Sequence, residues 1–388
     1  MIDPVLRGPL FGAMLMAISS SLMGVMTFVK RRSLIGEAVS HAAYPGVVIG
    51  SFFLDILVLP GAFISALLGM GAIHFLETKS KIASDSALCM ILASSLGIGV
   101  TIASYLQVAN PMAYRRSLSY LYGQAATMTD VHILIYAILA CISLFFVVIN
   151  YRCLQVCCFD PQYGIILGLK TRLMDILTAI LLTLSIVIGI RSVGVVLMAG
   201  MLVAPVVAAR QWTHHLPYLF SISVGIGVFA AFTGTYFAQG LPTGPVILLI
   251  AAAFAFISLL KTWFVRFFRK LHFRWQCHLE NGLKMVWKYG PTDLGLITSY
   301  RLVRLGYLTR RKGPLTLDGE RKAAHIVRLH RLWEVYLTTY LGTDQTKVHR
   351  NAEEMEHILT PELEHMLTDL LNNPLKDPHH QPIPEKVR

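Results

Sequence analysis

Near residue 262 the chain changes from a sequence suited to a bilayer into one suited to water. Residues 1–260 carry 13 Lys and Arg and 8 Asp and Glu, thinly spread between long apolar runs. Residues 261–388 carry 21 and 14 of these, with nine of the 14 histidines. Apolar runs of about 20 residues are long enough to cross the hydrocarbon core as helices. A backbone in lipid must also satisfy its own hydrogen bonds, which selects helices for these runs. With 55% hydrophobic residues and a mean hydropathy of +0.58, a chain of 388 residues is too apolar for a soluble globule. The pattern predicts an all-α polytopic membrane protein of about nine transmembrane helices. A small cytoplasmic C-terminal domain, α-helical and winged-helix-like, follows it.

The nine expected spans lie near 9–29, 38–54, 57–76, 87–108, 131–150, 173–190, 193–210, 217–238 and 244–262. The first lacks a basic leader and runs into Lys30, Arg31 and Arg32, so it reads as a retained helix rather than a cleaved signal. Basic residues set the orientation, because they collect on cytoplasmic loops. With the N-terminus outside, Lys30 to Arg32, Lys79, Lys81, Arg152, Lys170, Arg172, Arg210 and Lys261 face the cytoplasm, and Arg115, Arg116 and Arg191 run against the rule. An odd number of spans then puts the tail in the cytoplasm. The six cysteines lie in helices or cytoplasmic segments, as reduced thiols. Cys153, Cys157 and Cys158 read as interfacial side chains rather than a metal cluster, since no second ligand pair is near them in sequence.

Polar side chains inside spans are costly and therefore informative. Glu37 and His41 stand four apart, one helical turn, on one face. A carboxylate beside an imidazole is half of a site for a first-row divalent metal, and Pro45 and Gly46 just beyond free backbone groups that line a cavity or are buried in protein. Two readings are open on spacing alone. Either the pair binds metal, or Glu37 rests at the interface near a helix N-terminus while His41 packs between helices. The stretch 36–46, GEAVSHAAYPG, resembles the permease subunits of ATP-binding-cassette importers for manganese, zinc and iron, with Glu37 where an aspartate is usual. The resemblance continues in order through Asp85, then Leu121, Tyr122 and Gly123, then Phe159, Asp160 and Pro161 with Gly168 and Leu169. It goes on through the run from Gly194 to Pro205 and the stretch Leu241, Pro242, Thr243, Gly244 and Pro245. It implies a cytoplasmic (inner) membrane permease of a bacterium, with Glu37 and His41 as transport ligands. Asp160, Pro161, Gly168 and Leu169 would form the segment that couples to an ATPase. No Walker-type phosphate loop is present in the sequence, so ATP hydrolysis is expected of a separate subunit, and the chain itself is not expected to be an enzyme. An extracytoplasmic metal-binding protein and a second permease subunit, identical or paralogous, are the other partners implied.

In the tail, residues 263–273 are aromatic and basic, as where a helix leaves a membrane, with lipid as a contact. Residues 294–306 read as a helix and 306–317 as a basic β-ribbon. Arg301, Arg304, Arg310, Arg311 and Lys312 are there candidates for contacts with DNA phosphate or anionic lipid. A long helix over 318–341 carries His330 and Glu334, four apart; a second, over 346–359, is expected to carry His349, Glu353, Glu356 and His357 on one side. Nitrogen and oxygen ligands without cysteine favour Mn, Fe or Zn. The run Arg328 to Glu334, the set His349, Glu353, Glu356 and His357, and the closing 377–384 resemble metal-dependent repressors of the diphtheria-toxin-repressor and manganese-repressor type. That resemblance implies one metal site from His330, Glu334 and His349 and another from Glu353, Glu356 and His357. In the first helix, Asn281 and Lys284 stand where further acidic ligands are expected, and the helix-turn-helix is too short to be complete. The expected plan is a permease domain over 1–262, a linker with a truncated winged-helix-like segment over 263–317, and a helical metal-binding and dimerisation-like domain over 318–388. The expected function is metal import with a metal-sensing tail. The alternative is a membrane-tethered or proteolytically released repressor.

Overall fold

The computed structural model describes residues 4–53, 55–80, 82–123, 128–238, 241–342, 348–349, 352–353 and 355–385. It forms two compact units, Met1–Trp263 and Phe264–Arg388. The first contains α1 (Pro4–Val29), α2 (Ile35–Phe53), α3 (Asp55–Lys79), α4 (Ser84–Ala109), α5 (Pro111–Tyr122) and α6 (Asp130–Ile149). It continues through α7 (Tyr151–Phe159), α8 (Pro161–Ile166), α9 (Thr171–Val193), α10 (Val195–Arg210) and α11 (Leu216–Phe237) to the start of α12 (Thr243–Tyr289).

Seven of these helices, α1, α3, α4, α6, α9, α11 and α12, are long and apolar enough to cross a membrane. The expected spans at 38–54 and 193–210 correspond to α2, of 19 residues, and α10, of 16. Both are helices, but they are short, and α2 carries Glu37, Ser40 and His41 in its first half. The fold hides them from lipid. α2 packs on α3, α4, α5, α9 and α10, and residues 38–48 are buried without a break. Small residues permit that. A Cβ on Gly46 would lie 2.1 Å from the Gly61 carbonyl oxygen, and one on Gly61 would lie 2.8 Å from that of Gly46. Ser65 Oγ then donates to the Ala42 carbonyl at 2.6 Å, tying α3 to α2. Backbones in such contact pack by van der Waals attraction, which drives helix association where lipid leaves no hydrophobic force between helices.

Three stretches distant in sequence converge on one junction. Gly123 ends α5 with φ +80 and Gly194 joins α9 to α10 with φ +93, a conformation that glycine adopts without steric cost. A Cβ on Gly123 would meet Gly194 N at 2.6 Å, one on Gly194 would meet Gly123 N at 2.8 Å, and one on Gly244 would meet the Val193 carbonyl oxygen at 2.6 Å. α5 itself falls between the expected spans at 87–108 and 131–150. Asn110, whose side chain accepts from Ala113 N, followed by Pro111, is the start signal that marks it. Arg116, which runs against the charge rule, donates to the Ser51 carbonyl at 3.2 Å near the end of α2, where a cation complements the helix dipole. Lys30 pairs with Asp175 at 2.5 Å and Arg32 with Glu77 at 3.1 Å, so the α1–α2 turn, the end of α3 and the start of α9 share one side.

In the second unit the end of α12 is followed by α13 (Leu296–Arg304), α14 (Leu317–Leu341) and α15 (Pro361–Leu370). Residues 263–289, expected as linker, are the second half of α12. The expected ribbon is a single antiparallel bridge, Leu308 to Leu315, among the described residues. Thr309 N donates to the Pro314 carbonyl at 3.2 Å and Thr316 N to the Tyr307 carbonyl at 3.0 Å on either side of it, and Gly313 N closes the turn on the Arg310 carbonyl at 2.9 Å. Leu283, Val286, Leu302, Leu308 and Ala323 form a small core that joins α12, α13 and α14. Thr316 caps α14 by accepting from Gly319 N, and Gly342 closes it at φ 60. Buried Arg328 binds Glu364 at 3.1 Å and the Pro384 carbonyl at 2.8 Å, fastening α15 and the last residues to α14. The expected helix over 346–359 is shorter than predicted. Residues 348, 349, 352, 353 and 355 are helical and 356–358 form a turn, while 346, 347, 350, 351 and 354 lie outside the described residues.

Candidate metal sites

Glu37 and His41 lie on the first turns of α2. Glu37 is half-buried and His41 is 8% exposed. His41 Nδ1 is buried with no hydrogen-bond partner among the described residues. A buried polar atom without a partner costs free energy, so an imidazole held this way one turn from a carboxylate is suited to receive a ligand. On the side of the Lys30–Asp175 pair a cavity of about 650 Å³ is lined by Lys30, Arg32, His74, Glu77, Asp175 and Cys158, among others. The sequence reading assigned none of these a role there. Cys153 and Cys157 bring their sulfurs to 4.0 Å, and the one metal-like group found among the described residues does not include them.

Asp160 caps α8 by accepting from Tyr163 N at 2.9 Å, with Pro161 at its first position. Gly168 follows at φ +73. Leu169 is half-buried, while Tyr163, Ile165, Ile166 and Leu167 point outward, Ile166 being 81% exposed. A short capped helix that shows its apolar side to solvent is shaped for a partner.

In the tail, His330, Glu334 and His349 converge. His330 Nε2 lies 3.0 Å from His349 Nδ1 and 3.1 Å from Glu334 Oε1, and His349 Nδ1 lies 3.0 Å from the same oxygen. Metal–donor bonds of about 2.1 Å make the edge of an octahedral face about 3.0 Å, so this triangle fits one face of such a sphere. Two imidazoles and a carboxylate with open positions suit a first-row divalent ion. A cavity of about 120 Å³ adjoins the triangle. Glu334 and His330 are buried and His349 is 56% exposed. Burial pushes the Glu334 carboxyl up, but hydrogen bonds and charge from His330 and His349 outweigh it and bring it down to about 2. Burial pulls His330 down, yet its bonds to Glu334 and Glu356 win and raise it above 6.5.

Glu353, Glu356 and His357 do not form one group: Glu353 stays apart, while His357 Nε2, buried with no hydrogen-bond partner among the described residues, lies 3.6 Å from Glu356 Oε1. The helix stops before Glu356, so the expected single side divides. Glu353 is exposed and, among the described residues, approaches His349 Nε2 at 3.7 Å. Glu356 turns to Lys284 Nζ, 2.9 Å from both its oxygens, and to His330 Nδ1 at 2.5 Å. His357 Nδ1 pairs with Glu280 at 2.6 Å. Glu280 and Lys284 are thus participants rather than absences. Their i, i+4 spacing on one face of α12 was the signal for it.

Arg301, Arg304, Arg310, Arg311 and Lys312 are all exposed. Arg301 rests over the Trp275 ring at 5.5 Å, and Lys312 pairs with Asp293 at 2.8 Å.

Residues 3–262 match the ABC 3 transport family, and residues 316–385 match the iron dependent repressor, metal binding and dimerisation domain. A probable metal transport system membrane protein of Chlamydia trachomatis serovar D is 32% identical over 100% of this chain and 97% of its own length. The zinc transport system membrane protein TroC of Treponema pallidum is 32% identical over 66% of this chain and 89% of its own. Among solved structures, PsaBC from Streptococcus pneumoniae in complex with Fab covers 66% of this chain and 91% of that one, at 26% identity and a TM-score of 0.59.

Proposed function

The chain belongs to the ABC 3 transport family, and from that premise we propose that Glu37 and His41 of α2 are the intramembrane ligands for the Mn, Fe or Zn ion it passes. It is a multi-pass permease subunit of an ATP-driven metal importer, not an enzyme, and it works with a separate ATPase and a substrate-binding partner. The observation that carries the ligand assignment is the buried, unpartnered Nδ1 of His41 one turn from Glu37, on the helix most enclosed by its neighbours. The cavity lined by Glu77 and Asp175 is the proposed exit path. Residues 160–169 are the proposed ATPase contact, because α8 turns Ile165 and Ile166 into solvent. A second permease subunit completes the pathway. The test is uptake of manganese and zinc by cells expressing Glu37→Gln or His41→Ala at wild-type membrane levels. Changes to the partners of metal ligands already cost about 10- to 100-fold, so loss of a ligand is expected to lower uptake at least about tenfold; unchanged uptake removes the assignment.

We further propose that the tail lies in the cytoplasm, as the odd number of spans expected from the sequence implies, where it would hold the same class of ion at His330, Glu334 and His349 and so sense what the permease imports. The bound ion would supply the positive charge that the Glu334 carboxylate faces. A second reading, a metal-dependent repressor tethered to the membrane or released by proteolysis, draws on the exposed Arg301, Arg304, Arg310 and Arg311. If these meet DNA phosphates, binding must weaken steeply with salt, by a log–log slope of about −0.9 per contact. Retention by anionic vesicles but not by DNA would assign them to lipid.

A further inference from the structure

The second acidic group of the tail already contains its cation. Lys284 Nζ lies 2.9 Å from each Glu356 oxygen and 3.5 Å from His330 Nδ1. The Glu356 side chain is 0% exposed and that of Lys284 18%. A carboxylate enclosed to this degree requires a positive partner, and the ammonium spends its donors on it. A divalent ion on Glu356 would have to sit against that ammonium, like charge on like charge in a low-dielectric setting. Of the other two residues, Glu353 faces solvent, and His357 gives Nδ1 to Glu280, which Lys322 also approaches at 3.4 Å. The buried Nε2 of His357 faces Glu356 Oε1 at 3.6 Å without a hydrogen-bond partner among the described residues, but both oxygens it would share a metal with already hold the ammonium. With Lys284 in place the donor set therefore does not fit a metal.

We infer that Lys284 is a tethered substitute for a metal ion at Glu356, so that the tail takes up one ion, at His330, Glu334 and His349, and α12 is fastened to Glu356 whether or not metal is present. The count of one rests on the proposed site at His330; the fastening does not. In a two-ion arrangement, loss of metal would free α12 from the ligand residues. Here the cation is part of the chain and the tie is a constant ion pair, which leaves the metal-dependent change to α14 and His349.

The test uses the full chain in nanodiscs with Mn²⁺ as the probe, bound manganese counted after equilibrium dialysis, and electron paramagnetic resonance of the bound ions. His330→Ala is expected to bind one ion fewer than wild type and Glu356→Gln the same number. Lys284→Glu is expected to bind one more, its spectrum acquiring the spin coupling of two ions on opposite nitrogens of one imidazole. Hydrogen exchange at residues 280–289 of the wild type is expected to be the same in chelator and in Mn²⁺. A spin-coupled pair in the wild type, loss of an ion in Glu356→Gln, or Mn²⁺-dependent protection at 280–289 would each overturn the inference. If His330→Ala loses no ion, the sensing site fails instead, and exchange at 280–289 still decides the tie.

Discussion

His349 is the proposed ligand whose removal separates metal binding from folding. Its side chain is 56% exposed, whereas those of His330 and Glu334 are 6% and 2% exposed. Replacing His349 by alanine in the metal-free chain removes ion pairs that border water, worth about 1 kcal/mol or less, and leaves the buried His330–Glu334 pair in place. In the metal-bound chain it removes one of the three proposed protein ligands. Outer-shell changes alone cost about 10- to 100-fold in affinity, so a direct ligand is expected to cost at least about 100-fold. At free Mn²⁺ near 100 times the wild-type Kd, binding stabilises α14 by about 2.7 kcal/mol against the local openings that separate His330, Glu334 and His349. At the same concentration a site weakened 100-fold gains only about 0.4 kcal/mol. Hydrogen exchange of the α14 amides in the full-length chain reads this difference. Metal should slow wild-type exchange about 100-fold and the His349→Ala chain about twofold, with little change between the two in chelator. If His349→Ala keeps the full metal-dependent slowing, His349 is no ligand and the triangle is only a hydrogen-bonded cluster. If the metal-free variant already exchanges 100-fold faster, the exposure argument is wrong.

Arg328→Met leaves Glu364 buried without its cation, and a broken buried pair costs about 3–5 kcal/mol; α15 should lose protection first, read by the same exchange measurement. In the metal-free tail, Glu334 is held down at about 2 from 4.5. Its contribution, on the order of 3 kcal/mol, is present above pH 4.5 and lost as pH falls toward 2. His330 is raised above 6.5, so its contribution is complete below that value and fades as pH rises through its folded pKa. Protection of α14, corrected for intrinsic exchange, should therefore peak at weakly acidic pH in chelator, and Mn²⁺ affinity should rise with pH as His330 gives up its proton. Gly194→Ala combines a φ of +93 with a 2.6 Å approach to the Leu121 oxygen. The left-handed conformation alone costs about 1–2 kcal/mol, so folded yield in detergent should drop sharply, whereas a yield equal to wild type would contradict the close junction.

The long apolar helices were legible because their signal is local. Helix-forming runs of span length have no alternative in lipid, and α1, α3, α4, α6, α9, α11 and α12 stand where such runs occur. α2 and α10 read as spans for the same reason, but sequence could not tell a lipid-facing helix from one enclosed by others. The Gly46–Gly61 contact that buries α2 joins two helices and is not written in either. α14 was legible over 318–341 because its helical run is local in sequence, and the structure adds the Thr316 cap and the closing Gly342.

The tail divides on the same line. Alone, the sequence determined which atoms were on offer, nitrogen and oxygen donors at i, i+4 spacing with no thiol among them, and so the class of ion they suit. Only the tertiary structure decided which donors meet. Where the helix after His349 stops, and on which side of the His330 ring each carboxylate falls, depends on packing against α12. That packing brings Lys284 to Glu356 across 72 residues of chain. A lysine reads in sequence as a missing ligand. In the fold it is a charge in a low-dielectric site, where a buried carboxylate needs a cation and takes the one the backbone supplies.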